Sequence, residues 1–199
     1  MSARAAGSRV AHLARRYVES VRVRPLDHQT RRWVAGALEP EELAVWEGMG
    51  PVDQAEGVAV ARRVDVALAG TPEACDPRWR AAALLHDAGK QASGFGAVGR
   101  TVVTMAATLL GTARMRGWVD APNPVQARMG RYVAHDELGA ALLREAGARP
   151  EVAAWAGAHH RPARWDTTAI PVPVCRALAA ADGEPPTPGR SGRPRPAPD

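Results

Sequence analysis

The segment Leu84-Leu85-His86-Asp87-Ala88-Gly89-Lys90 carries the clearest chemical signal in the chain. An apolar helical run delivers an imidazole and a carboxylate side by side to its C-terminal end. That nitrogen-and-oxygen pair suits a divalent ion such as Fe, Mn, Co or Zn, or Mg with its preference for oxygen. Lys90 follows His86 by four positions and Asp87 by three, so a continuing helical turn projects its ammonium from the same face. An ammonium beside a metal site can hold a phosphate oxygen as a point charge. Lys90 is also the only lysine among 26 basic residues.

Further donors stand at other helix ends. His135 opens a segment with Asp136, Glu137 and Gly139 behind it. His159 and His160 close a segment whose apolar face is Val152, Ala153, Trp155 and Ala156. Asp182 closes another, after Cys175, Leu178 and Ala181. A site at one end of a helical bundle draws its ligands from such positions. His12 and His28 read instead as surface or cap-adjacent histidines.

In their order, these motifs resemble the HD-domain metal-dependent phosphohydrolases. The shared details are HDAGK at 86–90, His135-Asp-Glu-Leu-Gly-Ala-Ala-Leu-Leu, His159-His160-Arg-Pro-Ala-Arg-Trp and Ala180-Ala181-Asp182. They are similar to the HD-GYP branch and to small stand-alone actinobacterial HD proteins, whose HD motif is followed by a loop like Ser93-Gly94-Phe95-Gly96. The resemblance covers roughly residues 42–182. It implies one divalent ion held by the first-motif residue, His86, Asp87 and Asp182. A second ion would share Asp87 as a bridge with His135, His159 and His160, so the site is mono- or dinuclear. Asp87 and Lys90 would be the catalytic pair, with Lys90 on a substrate phosphate. The substrate implied is a small phosphoester, nucleotide-like in character.

Two departures from the family pattern bear on function. The first-motif His is replaced by Glu56, an oxygen ligand that hardens the site and favours Mn, Fe, Mg or Co over Zn. The Gly-Tyr-Pro triplet is absent after His160, which argues against cyclic-di-GMP as the substrate. The alternative function is an HD-fold binding or regulatory module that has lost catalysis. Bound metal and metal-dependent stabilisation separate the two.

The elements that must position these residues are helices. Ala, Leu, Arg and Val dominate the composition, and no stretch alternates with the period of a strand. Expected helices run over 27–38, from Pro40, over 54–69 with Asp53 as cap, and over 77–88 after the Asp76-Pro77 pair. Others run over 100–110, from Asn123-Pro124, and over 135–146, 150–160 and 173–181. The fold class is all-α, a compact HD-type bundle. Residues 1–50 form N-terminal helices packed on the core, 51–183 the HD domain, and 184–199 a disordered tail in which six residues are Pro.

Composition sets the outer limits. Apolar residues make up 46% of the chain, enough for a packed core, and the formal charge of +5 is too mild for a nucleic-acid arm. Arg4, Arg9, Arg15, Arg16, Arg22 and Arg24 make the amphipathic helix expected around Val10–Val21, and its exit, strongly basic. That face can dock on nucleic acid, an acidic partner or a membrane surface, but a solvated face is the favoured reading. The N-terminus lacks the apolar core of a signal peptide, and no stretch is long enough to span a bilayer. Two cysteines are too few for a disulfide scaffold, so a cytoplasmic setting with reduced thiols is expected.

Overall fold

The computed structural model describes residues 25–183. The basic segment around Val10–Val21 and the Pro-rich tail from Glu184 lie outside the described residues. Among the described residues, ten α-helices and two 3-10 turns follow one another without a strand. They are α1 (His28–Ala35), α2 (Pro40–Gly48), α3 (Pro51–Ala67), α4 (Pro77–Leu85), α5 (Ala97–Leu110), α6 (Thr112–Arg116), α7 (Pro124–Val133), α8 (His135–Ala146), α9 (Pro150–Ala158) and α10 (Val172–Asp182). The 3-10 turns are Ala88–Ser93 and Pro162–Thr167.

Local chemistry sets most helix starts. Asp27, Asp76 and Asn123 accept backbone N–H bonds at the first turns of α1, α4 and α7. Pro40, Pro51, Pro77, Pro124 and Pro150 supply a fixed φ at positions where no N–H is needed. The expected cap Asp53 has a different job. α3 begins earlier, behind Gly50, and Asp53 is buried in its first turn, paired with Arg100. The proline at 51 outweighs the cap propensity of Asp53. α4 stops at Leu85 and α9 at Ala158, short of the expected ends at 88 and 160. Asp87 leaves the helical region just past the first stop, and Pro162 keeps Arg161 out of it past the second. Sequence periodicity also missed the five-residue α6 and the turn at Pro162–Thr167, both too short to show a repeat.

Two apolar clusters hold the fold. The main one gathers Val34 and Trp46 from α1 and α2, Val60 and Val64 from α3, Ala81–Leu85 from α4, Trp155 from α9 and Leu178 from α10. Leu84 and Leu85 are fully buried and each contributes about 1.5–3 kcal/mol of transfer free energy. A smaller cluster of Val103, Met115 and Val133 lies under α5, α6 and α7, with Phe95, Trp118 and Tyr132 packed against it. Glu42, wholly buried, straps α2 to the start of α9: its carboxylate accepts from the Arg149 backbone N–H at 3.0 Å and from Arg149 Nε at 2.9 Å.

α5 turns Val98, Val102, Met105 and Leu109 outward. Among the described residues, no single helix is long and apolar enough to cross a membrane. The bent pair Pro77–Ser93 and Val98–Leu110 passes that test only when taken together, and its first limb is buried core.

Candidate metal centre

The site begins where α4 ends. The buried run Ala81–Leu85 carries the chain through the core and delivers His86 as the C-cap. Asp87 leaves the helical region at φ −100° and ψ 11°, and the chain tightens into the 3-10 turn Ala88–Ser93. Gly89 then meets the start of α8 so closely that a Cβ there would lie 1.9 Å from the His135 carbonyl oxygen. Only glycine allows this approach, and it seats Asp87 against His135. A second close approach lies on the other side. A Cβ on Gly57 would lie 2.6 Å from the Leu84 carbonyl oxygen, so α3 is drawn against the end of α4.

Three histidines are set in the same way. The Nδ1 atoms of His86, His135 and His159 each lie 2.8 Å from the carbonyl oxygen three residues earlier, on Ala83, Tyr132 and Ala156. A ring nitrogen facing a carbonyl must carry the proton, so each Nδ1 donates. The Nε2 atoms are thereby turned inward, the orientation a metal-binding imidazole needs. His135, His159 and His160 place their ligand atoms within 4.8 Å of one another. His135 Nε2 and His160 Nε2 are 3.2 Å apart. The adjacent pair His159 and His160 can converge because α9 has already ended at Ala158.

Asp87 stands between two groups of donors. Its Oδ2 lies 3.2 Å from His86 Nε2 and also pairs with Lys90 Nζ. Its Oδ1 lies 3.3 Å from His135 Nε2 and 3.9 Å from His159 Nε2. Asp182 Oδ1, from the end of α10, lies 3.3 Å from His86 Nε2. These are ion-pair distances, yet His86 Nε2, His159 Nε2 and Asp87 Oδ1 are all buried without a properly directed hydrogen bond. Buried polar atoms are rarely left so. Three such atoms converging on one small volume fit a cation placed among them.

The electrostatics agree. Burial works against charge on Asp87, but the His86 charge and contacts from His135 hold its carboxyl well below the usual range. Burial likewise opposes protonation of His86, and Asp87 and Asp182 overcome it, raising His86 well above its ordinary value. His159 goes the other way: burial and the neighbouring His160 and His86 push it down to about 3, so its ring stays neutral and available as a ligand. Lys90 is raised despite burial because Asp87 faces it.

The structure thus brings together His86, Asp87, Asp182, His135, His159 and His160, with Lys90 in contact with Asp87. Glu56 is not joined to them by a hydrogen bond or ion pair among the described residues, and it is exposed on α3. Its charge still acts on Lys90. Trp165 backs the site from the core: it donates from Nε1 to the Ala158 carbonyl and packs on Trp155, itself 6.4 Å from the His159 ring.

Two supports escaped the sequence. Asp136, wholly buried, pairs with Arg116 at 2.9 Å and Arg161 at 2.8 Å, bracing His135 and the stretch after His160. Asp53, 2% exposed, pairs with Arg100 through both carboxylate oxygens. Neither pairing has a spacing signature, since the partners come from separate elements. A groove of about 530 Å³ between α8 and α9, lined by Glu137, Arg144 and Arg164 among others, does not open on His86 or Asp87. None of the orphaned atoms lines it, so the chemistry and not the concavity locates the centre.

Comparison with known families matches residues 58–189 to the HD domain, more than half of the chain. No curated protein matches the chain, and no solved structure does. The matched region begins inside α3 and includes His86, Asp87, the three clustered histidines and Asp182. The protein is a member of the HD-domain family.

Proposed function

We propose that the protein is a metal-dependent phosphohydrolase acting on a small, nucleotide-like phosphoester. The observation that carries this reading is the convergence of His86, Asp87 and His159 atoms that are buried and otherwise unsatisfied. Asp87 offers one oxygen to each of two donor groups, which favours a dinuclear arrangement. His86 and Asp182 belong to one half, and His135, His159 and His160 to the other. Mixed imidazole and carboxylate donors favour Fe, Mn or Co, with Mg where oxygen ligands dominate. Glu56 completes the first half. Gly57 draws α3 onto Leu84, two residues before His86, and the Glu56 charge already acts on Lys90. Divalent ions held by these residues supply Lewis-acid stabilisation of phosphate charge and a nucleophile from water at neutral pH.

The chain's own groups perform the rest. The Nδ1 bonds to Ala83, Tyr132 and Ala156 fix the imidazoles before any ligand arrives. Lys90 shares the charge of Asp87 with His86. With Asp87 holding a divalent ion, the Lys90 ammonium would be available to a phosphate oxygen without leaving its turn. The test is a panel of phosphomonoesters and phosphodiesters assayed on metal-stripped protein with Mn, Fe, Mg, Co or Ni restored. Metal-dependent phosphate release from any member supports the reading. Metal binding and stabilisation with no turnover on the whole panel would favour a binding or regulatory module instead.

A further inference from the structure

We propose that Arg100, oriented by Asp53, binds a second anionic group of the substrate, beyond the phosphate served by Lys90. The substrate class this selects carries a pyrophosphate or a neighbouring phosphate. The inference rests on the phosphohydrolase reading and narrows it.

Arg100 belongs to the rim of the metal centre by a continuous set of contacts. The ring of Tyr132 lies 6.0 Å from that of His135. Its hydroxyl lies 3.3 Å from Thr104 Oγ1, and Thr104 Oγ1 donates to the Arg100 carbonyl one helical turn earlier at 2.9 Å. Arg100 and Thr104 therefore share one face of α5, and that face meets the side of the histidine cluster. Burial opposes the Arg100 charge and Asp53 sustains it, with smaller contributions from Tyr132 and Asp87.

The loop between the two cations is built as one unit. Ser93 Oγ donates to the Lys90 carbonyl at 2.8 Å and accepts from Phe95 N–H at 3.3 Å. Phe95 O accepts from Arg100 Nε at 3.0 Å, and Arg128 clamps Ser93 O and Gly94 O from outside. Lys90 and Arg100 thus sit at the two ends of a braced loop.

The guanidinium is held with donors to spare. Asp53 takes one N–H from each terminal nitrogen, and Phe95 takes the third. An arginine has five N–H donors, so two remain for a ligand. The side chain is 17% exposed, open enough to be reached. Burying a carboxylate as deeply as Asp53 solely to pin α5 is a costly device, whereas a fixed planar fork suits bidentate recognition of phosphate. Asp53 has a second effect. It keeps Arg100 from swinging onto Asp87, so this cation does not compete for the central carboxylate as Lys90 does. Arg100 spends its bonds on Asp53 and Phe95, so its remaining donors stay available to a second phosphate.

The test compares inorganic phosphate with imidodiphosphate, a pyrophosphate analogue with a P–N–P bridge, by calorimetry on the Mn-loaded full chain. Chelation alone can favour the diphosphate, so the decisive quantity is how the preference changes in variants. Arg100→Gln is expected to reduce the preference for imidodiphosphate about tenfold, the worth of a lost charge-assisted contact, while phosphate affinity holds. Lys90→Ala is expected to weaken both ligands together. Arg100→Gln leaves Asp53 buried without its partner and can misfold. The double variant Asp53→Asn with Arg100→Gln pairs two neutral amides and should show the same loss. An unchanged preference in the folded variants, with phosphate still bound, overturns the role of Arg100 alone. Failure of the Mn-loaded wild type to bind phosphate overturns the phosphohydrolase reading as well.

Discussion

Asp87 Oδ1 lies 3.3 Å from His135 Nε2 because Gly89, two residues on, packs without a side chain against the His135 backbone. One backbone approach therefore sets both the fold and the donor geometry. Gly89→Ala would drive a methyl into a carbonyl oxygen at 1.9 Å and an amide nitrogen at 2.5 Å. The expected cost is about 1–3 kcal/mol of stability, together with weakened Mn binding as the 3-10 turn moves off α8. Calorimetric melting and a Mn titration check this. A variant with wild-type melting and affinity would show that the approach is not needed.

Lys90 pairs with Asp87 and has only its charge and position to offer. Lys90→Arg keeps a cation at the turn, so the melting temperature should hold within a degree or two. Turnover should fall, because a longer planar group does not fit the place of a compact ammonium. Lys90→Ala should lose more, and both variants should retain metal. Steady-state rates beside elemental analysis decide it. Wild-type rates in both would remove Lys90 from the chemistry.

Glu56 stands where the sequence resemblance expects a first-motif His, two residues before the matched region begins. If it turns inward as a ligand, Glu56→Gln should weaken Mn binding by about tenfold, within the range for disturbed metal shells. Glu56→His should then shift preference from Mn towards Zn, since imidazole is the softer donor. Competitive titrations of the two metals against each variant would show this. Identical affinities in all three proteins would leave Glu56 as a rim charge facing Lys90.

The buried Glu42–Arg149 strap gives a pH signature far from the metal centre. Burial raises the Glu42 carboxyl, but hydrogen bonds from Arg149 and from the Glu39 and Arg149 backbones hold it below its ordinary value. A depressed folded-state value means the strap stabilises above the unfolded carboxyl pKa of about 4.3. That stabilisation is lost as pH falls through the lower folded value. Glu42→Ala should cost about 3–5 kcal/mol near neutrality, since it leaves Arg149 without its partner. The gap in melting temperature from wild type should be flat from about pH 5 to 8 and close below about pH 4. A gap that widened in acid would have the wrong sign for this pair.

What the sequence made legible follows from what leaves a local trace. Pro77 behind Asp76, Pro124 behind Asn123 and the apolar run into His86 each announce a helix boundary within a few residues. The ordered motifs pointed to all six clustered donors, because each sits at a helix end that the sequence marks. The partnerships of Asp53 with Arg100, of Asp136 with Arg116 and Arg161, and of Glu42 with Arg149 were invisible. Such pairs join elements far apart in the chain and depend on packing that no short spacing encodes. Asp53 shows the difficulty best: its residue type and position read as a helix cap, while tertiary structure assigns it to an arginine on another helix.

The most direct test of the shared carboxylate is a Mn(II) titration of metal-stripped protein, followed by the loss of the free-ion electron paramagnetic resonance signal. Wild type should bind two ions per chain. Asp87→Asn, which keeps the shape but removes the charge shared by His86 and His135, should bind one at most and more weakly by at least about tenfold. Two ions bound with unchanged affinity in Asp87→Asn, or none bound by the wild type, would contradict a metal centre built around Asp87.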